Sequence, residues 1–266
     1  ALTFMGVRIA NWDEARRANL AAVFSRVAFK PTDEWKEQIV LPDPAAKGDL
    51  HLVLPDGTRV TVREGSDPRI AFADWLITPR NPYFTRAIAN RVWSWFMGRG
   101  IVHEPDDFRP DNPSVNPGLL DCLEEELVSA EYDLKHLFRL ILNSRTYQQS
   151  PLPKADPDQA ARYFACYPVR RLEAEVLADM LDSIGGPVEK YESRIPEPFT
   201  YVPEEQRTVA LADGSITSTF LQMFGRPARD TGLEVERNSD MTDAQRLFLL
   251  NSTNIHRRIR KSVPLR

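Results

Sequence analysis

The sequence predicts a mainly α fold, a compact multi-helix domain with a short β-hairpin insertion near residues 50–63. Three observations predict it. Apolar residues recur at three- and four-residue spacing along most of the chain, which is the period of a helix face. A short polar residue followed by proline opens runs of this kind at Asp67-Pro68, Asn81-Pro82 and Asn116-Pro117. There the first residue caps the orphan amides and proline suits the first helical turn. Finally, Asp56-Gly57 separates two β-rich runs, a hairpin signal.

From the N-terminus, Asn11 to Phe29 reads as a helix capped by Asn11, with Ala15, Leu20, Val23, Phe24 and Val27 at helical spacing. Pro42 and Pro44 then break the chain, and His51 to Val62 forms the hairpin, with Pro55 marking an exposed edge. The helix after Asp67 carries Ile70, Phe72, Ala73, Leu76 and Ile77. The next runs through Met97 and stops at Gly98, a residue suited to the left-handed position after a helix. Its expected inward face is Phe84, Ile88, Val92, Trp95 and Phe96, with Trp93 at the flank.

Residues 101–113 form a loop rich in proline and aspartate. A helix follows from Asn116-Pro117 through Ser129, and Asp133 caps another from Leu134 to Asn143, with Leu134, Leu137, Phe138, Ile141 and Leu142 facing in. The short link between them predicts antiparallel packing. Pro151 to Pro157 reads as a linker and subdomain boundary. Arg171 to Ile184 is the next helix, with Leu172, Val176, Leu177, Met180 and Leu181 on one stripe, ended by Gly185-Gly186-Pro187. Pro196, Pro198 and Pro203 predict an extended stretch. Thr242 and Gln245 have the spacing of a capping box, and the last helix runs from Leu247 towards Ile259.

Composition narrows the function classes. The chain has 266 residues, 42% of them hydrophobic, enough for a sizeable core. A net charge of -4 supplies no field for a polyanion, which argues against nucleic acid. No run approaches the roughly 20 apolar residues of a membrane span. Ala1 to Gly6 lacks the basic region of a signal peptide. Of the two cysteines, Cys122 falls among apolar helix positions and is expected to be a buried free thiol; spacing leaves its pairing with Cys166 open.

His103, Glu104, Asp106 and Asp107 form the densest group of hard ligands. Their spacing is not that of a calcium loop, so no metal is assigned, and the alternative is that the carboxylates cap a turn or pair with arginine. Arg91, Arg145, Arg170 and Arg171 sit where the pattern predicts burial, and a buried guanidinium needs a carboxylate. Asp107, Glu173 and Asp230 are the expected partners. The competing reading is an anion or sugar-carboxylate site. Together Arg91, His103, Asp106 and Asp107 are the candidate polar cluster.

His51, His103, His136 and His256 are scattered, without a zinc-binding spacing, and His136 reads as a helix-face residue. No nucleophile elbow, phosphate loop or dinucleotide fingerprint is present, while a noncontiguous triad stays open. The basic run His256 to Lys261 complements a helix C-terminus or, alternatively, meets an anionic partner.

Longer motifs carry a family resemblance. Asn81-Pro-Tyr-Phe-Thr-Arg-Ala-Ile-Ala-Asn-Arg-Val-Trp-Ser-Trp-Phe-Met-Gly-Arg-Gly100 leads into Ile101-Val-His-Glu-Pro-Asp-Asp-Phe108. Leu119-Leu-Asp121, Tyr132-Asp-Leu-Lys-His-Leu137, Asn143-Ser-Arg-Thr-Tyr-Gln148, Arg170-Arg-Leu-Glu-Ala-Glu175, Phe224-Gly-Arg-Pro227 and Leu249-Leu-Asn251 follow. Over about residues 67–262 the chain resembles the planctomycete-type domain of unknown function fifteen-fifty-three, also called PSD-one. Arg226, in the Phe224 to Pro227 motif, joins Arg145, Arg170 and Arg171 as an expected structural arginine.

Phe4-Met-Gly-Val-Arg-Ile9 resembles the end of the partner domain, numbered fifteen-forty-nine. In that domain a Cys-x-x-Cys-His segment normally follows, then a helix like Leu20-Ala-Ala-Val-Phe24. Here Ile9-Ala10 runs directly into Asn11-Trp12, so the thiols and histidine of a c-type haem motif are missing. The expected organisation is residues 1–66, the end of the partner domain plus a hairpin-containing linker, and 67–266, the PSD-one-like helical domain.

The resemblance implies an exported protein of the periplasm or cell surface, associated with a cytochrome c-like domain or other exported proteins, with glycan as a further partner. It implies no established activity. The cofactor expectation is none within the chain itself, and any c-type haem is expected in a further segment after Ala10 or in another domain. The first functional expectation is a non-catalytic scaffold or binding module. The second is an enzyme acting on an extracellular polymer such as a glycan, which needs two carboxylates about 5–10 Å apart across a cleft. The third is a structural subunit of a surface lattice or filament.

Overall fold

The structure, a computed structural model, describes residues 1–32, 38–79, 81–186, 190–192, 201–203, 205–211, 216, 218–226, 237–238 and 240–262, with the backbone alone at Asn11 and Lys261. The fold is mainly α, and the chain divides into two compact units, Ala1–Pro168 and Val169–Arg266.

The first unit opens with a short helix, α1 (Leu2–Met5), closed by Gly6 in the left-handed conformation. Helix α2 (Glu14–Ala22) starts two residues later than expected: the Asp13 carboxylate, not Asn11, accepts from the Arg16 amide at 2.7 Å. It also stops well before Phe29. Val27–Pro31 is strand β1, paired antiparallel with β2 (Gln38–Pro42). Val27 and Phe29 fit a two-residue period as well as a helical one, and pairing decides between them. The Asp43 amide donates to Arg26 O at 2.8 Å, and the Arg26 guanidinium holds Gly48 O at 2.8 Å, fixing the chain for the strand.

The expected hairpin is present as β3 (Leu50–Val53) and β4 (Arg59–Val62), with His51 opposite Thr61. At the tip, Leu54 N–H donates to Thr58 O, and the Asp56 carboxylate accepts from the Thr58 amide. Leu52, Leu54 and Val62 turn inward onto Met5, Leu20 and Val23.

Helix α3 (Pro68–Leu76) completes that core and is capped by Asp67 as expected. Its face is rotated from the predicted one. Phe72, Trp75 and Leu76 are buried, whereas Ile70, Ala73 and Ile77 are exposed. The Trp75 indole donates to the Asp56 carboxylate at 2.8 Å, so the largest side chain of the helix docks against the hairpin tip and sets the rotation.

Helix α4 (Phe84–Met97) is the centre of the second core. Asn81 starts it by accepting from the Tyr83 and Phe84 amides, and Gly98, with φ of 72°, ends it. Its buried face combines small residues with Trp93: Ala87, Ala89, Asn90, Val92, Ser94 and Met97. Trp95, expected inside, is 43% exposed, while Trp93, expected at the flank, is 2% exposed. Small side chains let the two helices that follow, Pro117–Ser129 and Leu134–Leu142, approach α4 closely, so the helix buries where it is thin and not where it is most hydrophobic.

Helices α5 (Pro117–Ser129) and α6 (Leu134–Leu142) begin at their predicted caps. Asn116 accepts from Leu119 N–H at 3.1 Å and Asp133 from Lys135 N–H at 2.8 Å. Glu131 and Tyr132, both at positive φ, turn the chain between them. Leu120, Leu123 and Leu127 meet Leu137 and Ile141 in one core with Trp93 and Met97. Leu134 stays 40% exposed. The stretch expected as linker leads into a short helix, α7 (Pro157–Arg162), and the division between units falls later, at Pro168 and Val169.

In the second unit, α8 (Ala174–Gly185) buries Ala174, Glu175, Leu177 and Ala178. Leu172, Val176 and Met180 of the predicted stripe are exposed. The buried carboxylate of Glu175 explains the rotation, because its arginine partners lie on that side. Helices α9 (Thr219–Met223), α10 (Asp243–Asn251) and α11 (Thr253–Lys261) follow. Phe220, Leu221, Phe224 and Phe248 pack against α8. The predicted capping box of Thr242 and Gln245 is formed. The expected single last helix is two, because Ser252 adopts extended dihedrals and its hydroxyl accepts from the Asn254 amide, capping α11. Pro196 and Pro198 lie outside the described residues.

Candidate functional site

The candidate polar cluster lies on α4 and the loop that follows it. A helix ending at Gly98 must return to α5 through residues 99–116, with Ile101 and Val102 buried in the core and Phe108 and Val115 packed against it. Buried polar side chains hold the backbone between these anchors. Asn90, fully buried, donates to Val102 O at 3.1 Å and Pro105 O at 3.2 Å and accepts from Val102 N–H at 2.9 Å. Gly100 is required beneath it, since a Cβ there would meet Val102 O at 2.2 Å.

Arg91, one residue on, binds the Asp106 carboxylate through Nε at 3.0 Å and through Nη2. Both side chains are mostly buried, so this charge pair is shielded from water. Asp107 faces a different set: Arg109 Nε at 3.1 Å and Arg8 Nε at 3.4 Å both approach its Oδ2, and its buried Oδ1 has no hydrogen-bond partner. Asn112 donates to Asp107 O at 2.8 Å and to His103 O. The Phe108 amide donates to Gly6 O at 2.8 Å, tying the loop to the N-terminal segment.

The structure therefore joins Arg91 to Asp106, where the sequence suggested Asp107. The positive φ of Glu104 turns the loop so that successive carboxylates face different arginines. His103 is not part of the pair; its side chain is about half exposed and lies 3.9 Å from Glu104. A cleft of about 320 Å³ adjoins the loop, lined by Tyr83, Arg86, Phe108, Arg109 and Asn112 among others. Neither Asp106 nor Asp107 lines it.

Of the other arginines, Arg145 is exposed, contrary to the burial its helical setting suggested. It follows α6 in a turn, beyond the last buried position of that helix. Arg170 is also exposed. Arg171 is half-buried and donates to Phe224 O at 2.7 Å and Asn238 O at 2.8 Å, holding backbone and not a carboxylate. Arg226 is buried 3.5 Å from Glu175. Arg237 grips Glu175 with two hydrogen bonds, at 3.0 and 2.9 Å, and reaches Glu173 at 3.1 Å. Burial alone would raise the Glu175 carboxyl; the hydrogen bonds and charge of Arg237, aided by Arg226, hold it below the ordinary glutamate value. Asp230 lies outside the described residues.

Several of these groups were missed. Asn90 had a visible signal, an amide within an apolar helix face. Arg237 and Arg258 had none: Arg258 is buried against Gly185 and pairs with Asp182, whereas the basic run around it suggested cations complementing a helix C-terminus or meeting an anionic partner. Cys122 is exposed and Cys166 buried, and both are free thiols. Cys122 was expected inside; the buried stripe of α5 runs through Leu120, Leu123 and Leu127 and leaves it outside.

Among the described residues no three His, Cys, Asp or Glu side chains converge on a metal position, and no helix is long and apolar enough to cross a membrane. Comparison with characterised proteins and with solved structures returned no match. A family profile does match, over residues 68–263: PSD1, Protein of unknown function (DUF1553). That span takes in α4, the pinned loop and the helices of the second unit, so the chain belongs to the PSD1 (DUF1553) family.

Proposed function

We propose that the chain is a non-catalytic scaffold or binding module of an exported protein that works beside a c-type cytochrome, with a glycan as a further ligand. The observation that carries the reading is the use made of the charged groups. Asp106 is held by Arg91, Asp107 by Arg8 and Arg109, and Glu175 by Arg237. Carboxylates held by arginines in this way fix loops, which favours a structural role for them.

The cytochrome association and the extracytoplasmic location rest on the family resemblance, that of about residues 67–262 to PSD-one together with that of Phe4 to Phe24 to the partner domain. The residues present do not fit a covalently held haem. Ile9–Asn11 is a single 3-10 turn leading to α2, and Cys122 and Cys166, one exposed and one buried, lie on separate segments. The redox centre in this reading is supplied by another segment or protein.

The test is incubation of the purified chain with immobilised c-type cytochrome and with a panel of polysaccharides, followed by product analysis. Retention without release of reducing ends is expected. Release of reducing ends that is abolished by Asp107→Asn would replace the binding-module reading with the polymer-cleaving one.

A further inference from the structure

We propose that the groove between α5 and α6 binds a free, single-chain amphiphilic carboxylate, its apolar chain lying along Leu119 and Leu140 above the buried Leu123 and Ile141, and its head at Arg139. The groove is open to solvent, has a volume of about 540 Å³, within the range of small-molecule sites, and is lined mostly by apolar atoms. Leu140 is 38% exposed within it, so the surface is open to a ligand. Trp93 forms part of its floor, and the indole N–H of this 2% exposed side chain meets no acceptor in the protein.

The polar groups on the rim choose the ligand's charge. His136 is already engaged with Glu126 at 2.9 Å, which leaves that carboxylate taken. Arg139 is exposed in the last turn of α6 and makes no ion pair among the described residues. A guanidinium in this position matches a carboxylate in a two-point hydrogen-bonded contact. An apolar trough with one uncommitted cation at its edge therefore favours a monoanion with a hydrocarbon tail over a neutral sugar or a cation. The site shares no side chain with the Arg91–Asp106 loop, and the inference does not rest on the scaffold reading.

Cys122 lines the same groove and is exposed, whereas Cys166 is buried, so a thiol reagent reports on occupancy. The rate of Cys122 labelling by a neutral maleimide is measured against octanoate, decanoate and decanol, each below the concentration at which Cys166 begins to react. Decanoate is expected to slow labelling saturably. It should bind roughly 15-fold more tightly than octanoate, following about fourfold per methylene buried. Arg139→Ala should weaken decanoate severalfold and leave decanol unchanged, and this exposed substitution does not touch the core. Unchanged labelling with both acids overturns the proposal, as does protection by decanoate that equals that by decanol and survives Arg139→Ala.

Discussion

Asn90→Ala is expected to lower the unfolding free energy of the Ala1–Pro168 unit by about 4 kcal/mol, and its midpoint temperature by about 10 °C. The asparagine makes three buried hydrogen bonds to the loop backbone at Val102 and Pro105. Alanine leaves the Val102 amide and the carbonyls of Val102 and Pro105 without their partner. Val102 is 3% exposed, so water cannot easily replace the amide. Each buried group left unpaired costs about 1–3 kcal/mol. Asn90→Asp should be no better, because a carboxylate would keep the Val102 amide but face the carbonyls as one acceptor against two others. Thermal and urea unfolding check both variants; a loss below about 1 kcal/mol for Asn90→Ala would mean the loop holds itself.

Gly225→Ala should cost the second unit about 3 kcal/mol or more. Gly225 sits at φ of 91°, and a Cβ there would come within 1.9 Å of Asn238 O and 3.0 Å of Arg171 Nη2. That carbonyl is also the acceptor for Arg171 Nη2, and Asn238 N–H donates to Gly225 O. Alanine must displace backbone, and with it the contact that ties Arg171 to both sides of the 225–238 segment. Gly57→Ala provides the comparison. Gly57 shares the positive φ but has nothing within 4 Å of its Cβ position, so only the backbone preference is lost, about 1 kcal/mol. Equal effects for the two substitutions in urea unfolding would remove the steric argument.

Helix ends were the most legible part of this chain. Asp67, Asn116, Asp133 and the Thr242–Gln245 pair each cap a helix through contacts two or three residues away, and Gly98 needs only its own dihedrals. Such signals are local, so sequence carries them whole. Helix faces were less legible, because periodicity ranks hydrophobicity while burial follows fit. Trp93 and Trp95 are equal on a hydrophobicity scale, and only the positions of α5, α6 and Phe164, whose ring meets Trp93 edge-on at 5.2 Å, separate them. Val176 and Met180 fit an inward stripe by hydrophobicity for the same reason, although Glu175 and its arginines define the inner side of α8.

The candidate site was legible as composition and not as pairing. A loop with adjacent aspartates next to an arginine on a helix implied a buried ion pair, and one is present. Which aspartate takes Arg91 depends on a single turn at Glu104, and the contribution of Arg8 comes from a segment about a hundred residues away in sequence. Strand β1 was hidden because Val23 and Val27 also satisfy a helical spacing, and its partner β2 is joined to it only in three dimensions.

The central claim is that the ionic groups around α4 hold the loop in place, and a double-mutant cycle on Arg91 and Asp106 tests it most directly. Urea unfolding is measured for Arg91→Met, Asp106→Leu and the double variant. Each single substitution leaves one mostly buried charge without its partner and is expected to cost about 3 kcal/mol, whereas the double variant, with both charges gone, should lose less than either. Single variants within about 0.5 kcal/mol of the parent, with no coupling between them, would contradict the account, since the carboxylate would then be free for some other use.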